Sequence, residues 1–174
     1  VILADVPCSG EGMFRKDQVA VDEWSLENVD ICWKRQRRIL ADIWPALKPG
    51  GILIYSTCTF NREEDEDNVA WIAKELGADV LSVPVEETWG ITGNLTGKDF
   101  PVYRFLPHKT KGEGFFLGVL KKRADVLDET PRRFLKTSAR LDKKKKGKDA
   151  KQTLVVPKEA KVWLEDSSEY TLAM

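Results

Sequence analysis

The sequence predicts an α/β fold with a mostly parallel sheet, on three observations. Short apolar runs alternate with longer segments of helical period in the order strand–helix–strand–helix–strand, an order that builds sheets parallel at least in part. The apolar run from Gly51 to Thr57 shows no polar alternation, as in a strand covered on both faces. The 174 residues include 42% hydrophobic and 32% charged side chains, a globular composition for one ordinary domain.

Residues 1–6, Val-Ile-Leu-Ala-Asp-Val, read as a buried strand leading into a Pro-Cys-Ser-Gly-Glu-Gly loop. From Ser25 to Leu47, Val29, Trp33, Ile39, Leu40, Ile43, Trp44 and Leu47 recur at helical spacing, with Lys34, Arg35, Arg37 and Arg38 mostly off that face. Pro45 loosens the last turn and Lys48-Pro-Gly-Gly stops the helix before the strand at 51–57. Asn61 reads as the N-cap of a second helix with Glu64 at the capping-box position, and the acidic run Glu63–Asp67 suits the helix dipole. Val69, Ile72, Ala73 and Leu76 supply its inner face. Further strands are expected at 79–83, 101–106 and 115–120.

Lys+Arg and Asp+Glu both total 28, but residues 1–123 hold 16 basic and 19 acidic side chains and the remainder 12 and 9. The stretch 132–151 carries ten Lys or Arg against Asp142 and Asp149, and reads as a flexible basic linker suited to nucleic-acid phosphates or simply to water. No run reaches the roughly 18–20 apolar residues of a membrane span, and no signal-peptide pattern opens the chain. Cys8, Cys32 and Cys58 make no disulfide framework, and one histidine without a Cys-x-x-Cys makes no structural zinc site. A cytoplasmic protein is expected, and the abrupt ends read as an internal piece of a longer one. Neither Gly10-Glu-Gly12 nor Gly112-Glu-Gly114 completes a dinucleotide fingerprint, since Arg15 and Leu117 occupy the third glycine position.

Cys8 and Cys58 each follow a hydrophobic strand, at the end where open α/β sheets bind ligands. If the strands are neighbours, both thiols face one cleft, where a thiolate can act as a nucleophile. Cys32, inside a helix, reads as a small buried hydrophobe. Trp33, Trp44 and Trp71 fall at helical apolar positions and read as core.

Asp5-Val-Pro-Cys-Ser-Gly-Glu-Gly-Met-Phe-Arg-Lys16, followed by Ser56-Thr-Cys-Thr59, resembles the paired signatures of the Sun family of RNA cytosine-5 methyltransferases, most closely the RsmF type of bacteria. Gln36 through Lys-Pro-Gly-Gly, the acidic stretch after Asn61, and Arg104-Phe-Leu-Pro-His108 leading to Gly114-Phe-Phe agree with it. The resemblance covers 1–123 and implies the C-terminal half of a Rossmann-like class I methyltransferase domain, with 124–153 as linker and 154–174 as the start of a C-terminal RNA-binding domain. It implies Cys58 as nucleophile, Cys8 assisting proton removal and release, and Asp5 stabilising the pyrimidine ring. It further implies Asp5 and Pro7 beside S-adenosylmethionine, and Pro7, Ser9, Gly10, Arg15, Lys16, Thr57 and His108 toward RNA, ribosomal in kind. Most of the cofactor loop is expected upstream of Val1, in a missing N-terminal half, leaving the isolated chain inactive. A non-catalytic RNA-binding fragment and a thiol redox protein remain the alternatives.

Overall fold

A computed structural model describes residues 1–124, so the linker expected at 124–153 and the segment 154–174 fall essentially outside the described residues. The chain runs through β1 (Ile2–Asp5), α1 (Gln18–Glu23), α2 (Leu26–Ile43), β2 (Ile52–Thr57), α3 (Glu66–Glu75), β3 (Ala78–Val80), β4 (Tyr103–Phe105) and β5 (Phe115–Lys122). Asp17 and Ser25 cap α1 and α2, their side-chain oxygens each accepting a backbone N–H at 3.0 Å, from Val19 and Asn28. Pro45 sits in a short 3-10 turn, Trp44–Ala46, that ends α2 as its missing N–H requires. Gly50 then takes a φ of 76°, and its N–H bonds the Lys122 carbonyl at 2.9 Å, aiming β2 along β5. The short α1 had no apolar period to announce it.

The sheet order is β1-β2-β5-β3, with β4 also paired to β5. Among the described residues only β1 and β2 pair in parallel, and the three pairings of β5 are antiparallel. The expected mostly parallel sheet is therefore corrected to a mixed one. Four strands point the same way, but the reversed β5 lies between β2 and the β3/β4 edge, which makes most neighbour pairs antiparallel.

Register and burial place α2 and α3 on one face. Ala4 opposite Tyr55, Leu53 opposite Leu120 and Thr57 opposite Phe116 put these side chains on a common face. There Ala4, Leu53, Tyr55, Phe116 and Leu120 form one core with Leu40 and Trp44 of the α2 end and Val69 and Ile72 of α3. Full burial of each such large side chain is worth about 1.5–3 kcal/mol. The strand at 1–6 is buried on that face only, since Leu3 remains 67% exposed at the edge of the described sheet.

The second helix begins at Glu66, five residues past the expected cap. Asn61 Oδ1 does accept the Glu64 N–H at 3.0 Å, but the chain then makes one wide turn, Asp67 N–H to Arg62 carbonyl at 2.9 Å. Glu64 accordingly turns inward instead of closing the capping box.

Candidate active site

Parallel pairing of β1 and β2 sets Asp5 opposite Ser56, so both strands leave the sheet at the same end. Cys8 lies three residues beyond β1 and Cys58 one beyond β2, and their sulfurs stand 3.1 Å apart. Both thiols are free and half-buried. Either thiol can donate to the other; with Cys8 as the donor, the bond holds Cys58 down to about 7 against burial and the Asp5 carboxylate, which push it up. Cys8 moves strongly the other way, through that same bond, burial and the charge on Cys58. The pair thus presents one thiolate, on Cys58, and one retained proton, on Cys8.

Buried polar groups fix the two loops to each other. The Glu64 carboxylate, fully buried, accepts the Ser9 N–H at 3.1 Å, the Asn61 amide at 2.9 Å and the Gln36 amide at 2.5 Å. Gln36 also donates to the Pro7 carbonyl at 3.0 Å, on the other side of Cys8. Tyr55 donates to the Glu64 carbonyl at 2.6 Å, and Asn68 bridges Gln36 and Tyr55. Glu11 accepts the Phe60 N–H at 2.7 Å and the Trp24 indole N–H at 3.0 Å.

Arg104, on β4, forms a second buried centre. It pairs with Glu66 through Nε at 2.8 Å and Nη2, reaches Asp65 at 3.1 Å, and donates to the Phe60 carbonyl at 3.0 Å. Burial drives the Asp65 carboxyl well above the usual range in spite of Arg104 and of the Thr57 hydroxyl donated to it at 2.7 Å. Within the acidic run, Glu66 and Asp67 stand in the first turn of α3, where the dipole favours them, and Glu64, Asp65 and Glu66 are all buried.

Of the residues expected at the site, Cys8, Cys58 and Asp5 come together, with Asp5 exposed and accepting from the Ser56 hydroxyl at 2.9 Å. Pro7 is exposed beside them, and Gly10 turns the loop with a φ of 76°. Ser9 and Thr57 stand as internal braces. Both are buried, the Ser9 hydroxyl against Thr59 at 3.0 Å and the Thr57 hydroxyl on Asp65. Arg15 and Lys16 are exposed on a cavity shared with Gly12, Gly112 and Glu113, and Lys16 pairs with Glu113 at 2.5 Å. An exposed pair of this kind yields easily to another anion. His108 is exposed in the β4–β5 loop, and no contact joins it to the cysteines among the described residues.

Cys32 is buried with its thiol near Asn28, as expected. Trp44 is core, and Trp71 packs against the core, whereas Trp33 is half-buried and stacks under the Arg37 guanidinium at 4.4 Å. Sequence reasoning missed Gln36, Tyr55 and Asn68 as supports. Gln36 carried a signal, since it occupies the buried stripe between Cys32 and Leu40 at i+4 spacing.

Gly12 closes the arrangement: its N–H bonds the Cys58 carbonyl at 2.8 Å, and a Cβ there would meet that oxygen at 2.7 Å. Gly12→Ala is expected to destabilise the fold by about 1–3 kcal/mol and to slow Cys58 alkylation. Urea unfolding with alkylation rates checks both, and an unchanged rate would mean the contact relaxes without moving Cys58.

Comparison with known proteins agrees with this geometry. The family described as 16S rRNA methyltransferase RsmB/F matches residues 1–121. Ribosomal RNA small subunit methyltransferase F of Klebsiella pneumoniae is 41% identical over 127 residues, 72% of this chain and 26% of the relative. The protein of that name from Vibrio cholerae is 33% identical over 173 residues, 95% of this chain and 36% of the relative. The chain thus spans about a quarter to a third of the length of these relatives. Among solved structures, NSun6 from Pyrococcus horikoshii with SFG is 30% identical with a TM-score of 0.57, over 70% of this chain and 29% of that one. A methyltransferase homolog protein from the same organism is 28% identical with a TM-score of 0.56, over 70% of this chain and 38% of the other. With both cysteine loops and the sheet that carries them inside the matched span, the chain belongs to the RsmB/F family of 16S rRNA methyltransferases.

Proposed function

We propose that this chain carries the cysteine centre of an S-adenosylmethionine-dependent enzyme that methylates carbon-5 of cytosine in RNA, small-subunit ribosomal RNA, through a covalent adduct. The observation that carries the reading is the 3.1 Å sulfur pair in which Cys58 is held down to about 7. Carbon-5 of cytosine is a poor nucleophile. Addition of the Cys58 thiolate to carbon-6 places electron density on carbon-5, so one hard step becomes two easier ones. Asp5, exposed at the strand end, serves the ring as a hydrogen-bonding partner while addition proceeds.

Once the Cys58 sulfur is bonded to carbon, it carries no charge and accepts from Cys8 only weakly. The causes that hold the Cys8 proton then weaken, and Cys8 is freed to ionise and to take part in removing the carbon-5 proton. Elimination of the Cys58 thiolate restores the ring and the starting pair. S-adenosylmethionine supplies the methyl group when bound. Asp5, with only one carboxylate oxygen bonded to Ser56, and exposed Pro7 fit its edge of the cleft. In this reading exposed Arg15, Lys16 and His108 meet RNA phosphates, and the target base must be unstacked to reach the sulfurs.

The test is covalent trapping with RNA containing 5-fluorocytosine and S-adenosylmethionine, run on the chain alone and with the rest of the relatives' length supplied. Fluorine blocks loss from carbon-5, so a denaturation-resistant adduct is expected that disappears in Cys58→Ala. Its absence in both arms overturns the reading. The same sulfur separation also serves a thiol redox role, and loss of two titratable thiols on mild oxidation, without any adduct, would favour that instead.

A further inference from the structure

We infer that Glu64 is a positioning residue for the cysteine pair, a buried carboxylate that clamps the loop of Cys8 to the loop of Cys58 and so sets the separation of their sulfurs. The three donors on its two oxygens come from both loops and from the helix behind them: the Ser9 N–H next to Cys8, the Asn61 amide three residues past Cys58, and the Gln36 amide of α2. Gln36 extends the clamp to the Pro7 carbonyl, so Cys8 is gripped on both sides. Asn61 extends it to the Ser9 and Thr59 hydroxyls, which themselves meet at 3.0 Å.

Only a carboxylate satisfies this set. Gln36 cannot reverse its amide, because its oxygen already accepts from Asn68 at 2.7 Å. A glutamine at 64 would therefore set an N–H₂ against the N–H donor of Ser9, of Asn61 or of Gln36 in either orientation. Loss of one such contact lets the loops separate, and the bond between the two sulfurs, 3.1 Å apart in the intact pair, weakens as they part.

A mere nearby charge and a clamp predict opposite signs. The charged or titratable groups acting on Cys58 are Cys8, Asp5 and Glu64, and the Glu64 charge by itself pushes Cys58 up. If Glu64 acted only as a charge, Glu64→Gln would lower the Cys58 midpoint and Glu64→Asp would leave it in place. If Glu64 is the clamp, both variants weaken the Cys8 bond and raise the midpoint. The inference deepens the methyltransferase reading, which makes this pair the catalytic one. Its test needs neither RNA nor cofactor, so the two can fail separately.

The experiment is iodoacetamide alkylation of Cys58 against pH, read by peptide mass spectrometry on the full chain, with circular dichroism as the check of folding. A rise of about one pH unit is expected in Glu64→Gln and Glu64→Asp, roughly a fivefold loss of thiolate at pH 7. A midpoint that falls or stays in Glu64→Gln overturns the inference. Should that variant fail to fold, the milder Asn61→Ala decides: it removes the Cys58-side donor, and a midpoint unmoved by it overturns the inference equally.

Discussion

Cys8→Ala is expected to move the alkylation midpoint of Cys58 from about 7 to its ordinary 9.0 or above. The donated thiol proton is the largest influence lowering it, while burial and Asp5 act the other way and each outweighs the backbone hydrogen bond that also lowers it. The thiolate fraction at pH 7 then drops from about one half to about 1%, roughly fiftyfold. The rate falls less, because a more basic thiolate is a better nucleophile. With a Brønsted coefficient of about 0.45, two units return roughly eightfold, leaving about a sixfold slower reaction at pH 7 and a faster one at pH 10. The crossing of the two pH profiles is the signature, and Cys8→Ser should lie between them because a hydroxyl still donates. Profiles that superimpose would mean that Cys58 owes its reactivity to something other than Cys8.

That pairing was legible in the sequence as an expectation about strand ends. Two cysteines following two strands face one cleft only if the strands are neighbours, and the helical segment 25–47 between them is the crossover that makes neighbours parallel. What lay beyond local pattern was the direction of β5. Its run of apolar residues is the same whichever way it pairs, and its reversal is settled by packing of distant segments. The burial of the acids at 63–67 was hidden for a related reason. Local propensity assigns them to a helix start, where Glu66 and Asp67 do stand, whereas Arg104 and Ser9, 38 and 55 residues away in sequence, supply the partners that let Glu66 and Glu64 be buried. Burial of charge is a tertiary decision, so no window of the sequence around Glu64 contains it. Trp33 was misplaced by the same logic: its apolar spacing is genuine, but its ring lies outside the core and stacks with the Arg37 guanidinium one turn later.

Arg104→Met should destabilise the folded chain by about 3–5 kcal/mol at neutral pH, among the largest effects of any single substitution outside the core. Methionine fills similar volume over the Phe116 ring, so the loss is chiefly one of charge: Asp65 and Glu66 remain buried with no cation, and the Phe60 carbonyl loses its donor. The pH dependence identifies the cause. The folded Asp65 carboxyl already sits well above its ordinary 3.8, so what it contributes to stability is present in acid and lost as the pH rises through that raised value. Removing Arg104 raises it further and deepens the deficit at neutral pH. The gap between wild type and variant must therefore narrow on acidification, as the stranded carboxyl takes up its proton in the fold. Urea unfolding of both proteins at several pH values between about 4.5 and 7.5 measures this gap. A gap that keeps its size across that range would assign the loss to packing against Phe116 instead of to charge. The consequence reaches the cysteines, because the Thr57 hydroxyl bound to Asp65 belongs to the residue before Cys58 and the Phe60 carbonyl lies two residues after it. A variant that folds but loosens this centre should also react more slowly at Cys58, which would make the buried arginine part of what holds the nucleophile in place.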